Sequence, residues 1–222
     1  KKYYVVNNVL ETFTSKVGQF VEILNLEEFG NALFIDHEIQ VAEKDEKIYS
    51  STFFKSSYDL SKKTSNVAII GGGDGGVARE CLENNTNYID WYELDPEIVE
   101  SCYRHLPKVC SKVKKSNTVN TFWGDAFESI KSVENSKYDK IFVDLNDDQY
   151  CIDLARKNMK NLKRILKPGG IITAQVGSKD KKPKQVENWS KVLEKSFGNV
   201  TVSGTYIPSF DCNWNFASSV MR

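Results

Sequence analysis

The chain has 222 residues, enough for one sizeable core or one core with a small annex. Lys plus Arg number 30 and Asp plus Glu number 30, so the formal charge is zero and no basic field points to nucleic acid or to an anionic membrane. Apolar runs of only a few residues exclude a transmembrane helix, and the opening Lys1-Lys2-Tyr3-Tyr4 lacks the apolar stretch of a signal peptide. The expectation is a soluble, cytoplasmic protein, and the abrupt opening predicts that residues precede Lys1. Five cysteines without a C-x-x-C spacing argue against a disulfide framework, and two histidines far apart, His37 and His105, argue against zinc, so no metal site is expected.

The first 43 residues read as a small antiparallel sheet. Tyr3 to Val6, Gln19 to Leu24 and Ala32 to Ile35 are short β-type runs, and Ile35-Asp36-His37-Glu38-Ile39 has the form of a hairpin turn between apolar flanks. From Ala42 to about Leu60 the pattern is helical. Glu43, Asp45 and Glu46 fall in the expected first turn, where the helix dipole favours acids, and Ile48, Phe53 and Phe54 share helical spacing. Ser61 to Ser65 is a polar connector, which divides the chain into residues 1–60, a small β domain with a linking helix, and residues 61–222, a larger domain.

Beyond Asn66 strand and helix alternate. Strands are predicted at Val67 to Gly71, Tyr88 to Glu93, Thr118 to Trp123, Lys140 to Leu145, Gly170 to Gln175 and Val200 to Tyr206. Helices are predicted at Val77 to Glu83, Pro96 to His105, Ala126 to Val133, Ile152 to Leu166 and Pro183 to Lys195, with Lys167-Pro168-Gly169-Gly170 as a stop signal. This alternation specifies an α/β fold, a Rossmann-like and mostly parallel sheet with helices on both faces. Phe210 to Ser219 is expected to close it as an edge strand, and Lys179 to Lys184 reads as a solvated charged loop.

The strand ends carry the chemistry. Asn66 to Gly76 reads N-V-A-I-I-G-G-G-D-G-G, an apolar strand running into a turn that only glycine can make. Gly71, Gly73 and Gly76 satisfy G-x-G-x-x-G between a strand and a helix. Glu93 stands 22 residues after Gly71 at the end of the next strand, where a carboxylate can accept both hydroxyls of a ribose. Asp95-Pro96 is read as an N-cap and first helical position. Asp125, followed by Ala126, ends the third strand; it can accept from an adenine amino group, cap a helix, or do both, while the Ala126 N–H reaches a ring nitrogen. Asp144, Asp147 and Asp148 follow the fourth strand, with Asp148 read as a cap. With Asp74, Glu93 and Asp125 they face one crevice. So many acids oppose a pyrophosphate and suit a sulfonium or an amine.

With these residues in place, the chain resembles the spermidine and spermine synthases, the polyamine aminopropyltransferases, over nearly its whole length. The resemblance is carried by Gln19, Phe29 to Asp36, Gln40 to Glu46 with Tyr49, the Gly71 to Gly76 run, Glu93-Leu94-Asp95, Gly124-Asp125, Asp144, Asp147 and Ile207-Pro208-Ser209. It implies transfer of the aminopropyl group of decarboxylated S-adenosylmethionine, a co-substrate, to an amine such as putrescine, releasing methylthioadenosine, with no prosthetic group. It further implies that Gln19, Glu93 and Asp125 hold the nucleoside, that Asp74 and Asp144 lie near the aminopropyl amine and the reaction centre, and that Tyr49 and Asp147 position the acceptor. A homodimer or larger oligomer is the implied assembly. The chain departs from the family pattern in Asp144-Leu145-Asn146-Asp147-Asp148, Ser50, Ala126, Phe210 and Asp211-Cys212-Asn213, chiefly on the acceptor side, and Leu145 is shared with spermine synthases, whose acceptor is longer. An S-adenosylmethionine methyltransferase and a non-catalytic binding relative are the alternatives.

Overall fold

A computed structural model describes residues 2–222. The N-terminal part is a four-stranded antiparallel meander, β1 (Val6–Thr14), β2 (Phe20–Leu26), β3 (Gly30–Ile35) and β4 (Glu38–Ala42). The β3–β4 hairpin turns at Asp36 and His37, both with positive φ (50° and 65°), the left-handed pair that a two-residue turn requires. Strand alternation sends Val21, Ile23, Leu33 and Val41 to one face of this sheet, where they pack on Ile98, Cys102, Leu106 and Val109.

Helix α1 (Glu46–Tyr58) leads to the main sheet. Its elements are β5 (Asn66–Gly71), α2 (Gly76–Glu83), β6 (Tyr88–Glu93), α3 (Pro96–His105), α4 (Pro107–Lys114), β7 (Val119–Trp123), α5 (Ala126–Ser129), β8 (Tyr138–Asp144), α6 (Gln149–Ile165), β9 (Leu166–Gly177), α7 (Pro183–Phe197), β10 (Val200–Ile207) and β11 (Cys212–Val220). The seven strands run in the order β10-β11-β9-β8-β5-β6-β7, with β9, β8, β5, β6 and β7 parallel and β11 antiparallel to both its neighbours. Val67 to Ile70 in β5 and Tyr138 to Val143 in β8 are buried on both faces. Ala68, Ile70 and Ile141 meet residues of α6 and α7 on one side, whereas Val67, Ile69 and Phe142 meet Phe53 and Phe54 of α1 on the other. The expected Rossmann-like sheet with helices on both faces, preceded by a small antiparallel sheet, is the observed architecture.

Several elements differ from expectation. The first strand begins at Val6 and runs through polar Asn7 and Asn8, because pairing with β2 overrides its weak apolar signal. Helix α1 starts at Glu46 with Asp45 as its N-cap residue, whose carboxylate does not cap the helix but accepts from the Ser209 N–H at 2.6 Å and its hydroxyl at 3.0 Å. Helix α4 was not expected: its strongly basic face masks the spacing of Val109, Cys110 and Val113, which support the small sheet. Lys167 to Gly170 lies inside β9, where Gly169 and Gly170 exchange 2.8 Å hydrogen bonds with Met221. The last strand is not an edge. It inserts between β9 and β10, and Phe216, Ala217, Ser218 and Ser219 are buried there. Lys179 to Lys184 is exposed, as expected of a solvated loop, but Lys181 and Lys182 also reach polar partners. Among the described residues, no helix is long and apolar enough to cross a membrane, and all five cysteines are free thiols.

Candidate active site

The strand order fixes where a site can form. From β5 the chain winds outward through β6 and β7, then returns to β8 on the opposite side of β5, so the crevice lies beyond the carboxyl ends of β5 and β8. Gly71 and Asp144 are register partners at that point. Gly71 and Gly72 have φ of 80° and 72°, and a Cβ on Gly71 would collide with the Asp144 carbonyl oxygen, while one on Gly72 would come within 2.9 Å of Asp144 Oδ2. The glycines therefore bring the turn down onto Asp144, and the Gly72 N–H donates to the Asp144 carbonyl at 3.0 Å.

Asp74 sits at the tip of this turn and accepts from the Gly76 N–H at 2.6 Å, at the start of α2. Burial raises its pKa to about 8, and the charges of Asp144 and Glu46 push in the same direction. Behind it is a buried charge network. Arg79 Nη1 donates to Glu46 at 2.6 Å and Nη2 to Glu80 at 2.8 Å, and Ser50 donates to Glu46 at 2.7 Å. Arg79 is thus already saturated with partners, and Asp74 remains available to an incoming cation.

Asp144 accepts from the Tyr49 hydroxyl at 2.6 Å. Burial raises the Asp144 carboxyl to about 6, opposed by that hydrogen bond, and burial next to Asp144 holds the Tyr49 phenol well above its ordinary range, so Tyr49 is a neutral donor. The ring of Tyr49 is fixed edge-on to Phe53, Phe210 and Phe216 at centroid distances of 5.9, 6.2 and 5.1 Å. The Asp45–Ser209 contacts pin the β10–β11 turn that carries Phe210.

Glu93 is buried at the end of β6, accepts from the Asp95 N–H at 3.0 Å, and lies against Gly73. Burial raises it to about 7. Asp95 caps α3 through the Glu97 N–H at 2.9 Å, with Pro96 at the first helical position. Asp125 is exposed and caps α5, accepting from the Phe127 N–H at 2.8 Å, with Ala126 as the first helical residue. Gln19 lies in the β1–β2 turn, just before β2; that turn reaches the start of α3 through the Lys16 N–H, which donates to Glu97 at 2.9 Å. Asp148 caps α6 through the Cys151 N–H at 2.7 Å.

Asp147 is the member of the set with a cationic partner inside the chain, Lys182 at 3.1 Å. Burial raises its pKa and Lys182 lowers it. Three contributors were missed from the sequence. Gln175 donates to the Leu145 carbonyl and accepts from the Gly177 N–H and the Trp214 indole, fixing the loop from Asp144 to Asp147; a glutamine at the end of an otherwise buried apolar strand was the available signal. Glu46 carried a signal in the Gln40 to Glu46 stretch but was read as a first-turn acid, and Lys182 had none, because its partner is distant in sequence.

A doubly wound sheet whose glycine turn packs on Asp144 beside Asp74 defines a Rossmann-like α/β fold with a candidate site at its topological switch point. The spermine/spermidine synthase domain model matches residues 46–221. The chain is 30% identical over 215 residues to the polyamine aminopropyltransferase of Korarchaeum cryptofilum (strain OPF8), covering 96% of this chain and 67% of that protein. It is also 30% identical over 212 residues to the polyamine aminopropyltransferase of Prochlorococcus marinus (strain MIT 9215), covering 93% and 75%. Among solved structures, spermidine synthase from Thermotoga maritima superposes with a TM-score of 0.91 at 19% identity, covering 99% of this chain and 75% of that one. A spermidine synthase in complex with the transition state analogue AdoDATO gives 0.92 at the same identity and coverage. The chain belongs to the spermine/spermidine synthase family.

Proposed function

We propose that the protein is a polyamine aminopropyltransferase that moves the aminopropyl group of decarboxylated S-adenosylmethionine to an amine such as putrescine. The observation that carries this reading is the Tyr49–Asp144 pair, 2.6 Å apart, beside Asp74 at the ends of β5 and β8. Glu93 takes the ribose hydroxyls, Asp125 and the Ala126 N–H the adenine, and Gln19 closes over the nucleoside. Gly71, Gly73 and Gly76 let it approach the backbone. Asp74 receives the ammonium of the aminopropyl chain. That choice disfavours methyl transfer, because the α-carboxylate of intact S-adenosylmethionine would be brought to a carboxylate.

An ammonium has no lone pair, so the acceptor must lose a proton before it attacks. Asp144, ionised at neutral pH, takes that proton, and Tyr49 holds the carboxylate in place. The amine nitrogen then bonds to the aminopropyl carbon attached to sulfur. The C–S bond breaks with its electron pair going to sulfur, and neutral methylthioadenosine leaves. Asp147 positions the acceptor. Residues 1–60 act as a cap over the catalytic unit of residues 61–222.

The protein acts in the cytoplasm, a reading supported by its five free cysteines. It assembles as a homodimer or larger oligomer through the small sheet. Val6 and Val9 of the edge strand β1 are 44% and 60% exposed, an apolar edge that calls for cover.

The test is incubation with decarboxylated S-adenosylmethionine and putrescine, cadaverine, agmatine or spermidine, with detection of methylthioadenosine and the new amine by mass spectrometry. Donor binding without product from any acceptor overturns the enzymatic reading, and methyl transfer from S-adenosylmethionine supports the rival. Asp144→Asn lowers turnover by roughly 10²- to 10⁴-fold, the span of general base catalysis, with a much smaller change in donor affinity. Equal losses in both would contradict its role.

A further inference from the structure

The segment that joins β9 to α7, Ser178 to Lys182, crosses the mouth of the crevice. It is a tight turn in which the Lys182 N–H donates to the Ser178 carbonyl at 2.7 Å. Four further contacts hold it. The Lys179 N–H donates to Asn215 Oδ1 at 2.9 Å, Asp180 accepts from Asn213 at 2.9 Å, Lys181 Nζ donates to the Phe210 carbonyl at 2.7 Å, and Lys182 Nζ donates to Asp147 Oδ2 at 3.1 Å. The two lysines therefore reach opposite walls, Lys181 the β10–β11 turn and Lys182 the loop after β8. Asp147 itself cannot swing away toward Gly177, because it already packs there: a Cβ on Gly177 would lie 2.9 Å from Asp147 Oδ2. The Asp147 side chain is 15% exposed and that of Lys182 46%, so the carboxylate is fixed and the ammonium is the movable partner.

We propose that Lys182 is a specificity-determining residue, a tethered ammonium that occupies Asp147 and competes with the second charged nitrogen of a diamine acceptor. The inference builds on the aminopropyl-transfer reading. Asp74 serves the donor's ammonium and Asp144 serves the nitrogen that attacks, which leaves Asp147 as the remaining carboxylate of the loop for any further cation. Lys182 already neutralises it. An acceptor with a second ammonium must displace Lys182, whereas an amine with an uncharged tail need not. The effect is a penalty on the diamine rather than on the attacking group.

Binding of putrescine and of n-butylamine, which lacks the second nitrogen, is measured by calorimetry on the full chain with methylthioadenosine present, alongside methylthioadenosine release in turnover assays with the same amines. Lys182→Gln tightens putrescine by about fivefold, the scale of a partly exposed ion pair, and moves n-butylamine by less than about twofold. Lys182→Arg keeps the wild-type ratio of the two amines. Lys184→Gln, which removes the same charge from an exposed position two residues along, keeps it as well. Weaker putrescine binding in Lys182→Gln, no gain in putrescine binding, or an equal shift for both amines would overturn the inference. Wild-type protein that releases no methylthioadenosine with any amine overturns aminopropyl transfer instead, and the binding ratio still decides the role of Lys182.

Discussion

Tyr49→Phe isolates what the phenol does for Asp144. The hydroxyl donates to the carboxylate at 2.6 Å and so favours its ionised form, against burial, which raises its pKa to about 6. Hydrogen bonds to charged groups contribute about 1.5–3 kcal/mol, and one pKa unit corresponds to about 1.36 kcal/mol, so removing the donor moves Asp144 up by about one to two units. The sign follows from the chemistry: the base must be ionised, activity rises with pH as Asp144 loses its proton, and the variant's acid limb moves to higher pH. At pH 7 the wild-type carboxylate is about nine-tenths ionised, and the variant between about one-half and one-tenth, a loss of roughly two- to tenfold that fades by pH 9. The assay is kcat/KM for the acceptor at saturating donor from pH 5 to 9, read as the ratio of variant to wild type, so that the acceptor's own titration cancels. Loss of packing or positioning alone lowers the ratio uniformly. A flat ratio, or an acid limb displaced downward, would refute the reasoning.

Two further expectations concern the donor side. Asp74, raised to about 8, is mostly protonated at pH 7 in the empty crevice, and an arriving ammonium restores its charge. Donor binding at pH 7 therefore releases about one proton and at pH 9 almost none, measured calorimetrically in buffers of different ionisation enthalpy; Asp74→Asn removes the release, and a release that persists in that variant would locate the titration elsewhere. Gly71→Ala places a Cβ against the Asp144 carbonyl at φ of 80°, and left-handed strain of about 1–2 kcal/mol plus overpacking of about 1–3 kcal/mol lowers unfolding free energy by about 2–5 kcal/mol in urea titrations. A loss below about 0.5 kcal/mol, the scale of an ordinary surface substitution, would mean that the turn is not held on Asp144 as described.

The glycine turn and the helix caps were legible because each of them is local. Gly71 to Gly76 announces its own backbone geometry, and Asp95, Asp125 and Asp148 cap helices that start within three residues of them. The surroundings of Tyr49 and Asp147 were less so, because their contacts join distant segments. Asp45 stands at the helix terminus as expected, but its carboxylate also meets Ser209, and Lys182 is exposed as expected of a solvated loop, but its ammonium also meets Asp147. Asp74 resolved as a combination: it caps the start of α2 and also faces the crevice, so its geometry leaves room for both the structural and the ligand-binding reading.

The position of β11 has a consequence for how the crevice comes into being. The elements proposed to bind the nucleoside, β5 to α5, are complete by Ser129, whereas β10 can join the sheet only through β11. On a ribosome β5 to α5 emerge before Phe210 and its neighbours. Insertion of an antiparallel strand between β9 and β10 is a non-local pairing, the slow kind of folding step. Until it occurs, β9 presents an unprotected edge on which another nascent chain could pair. The step that protects this edge is therefore the same one that brings Phe210 against Tyr49.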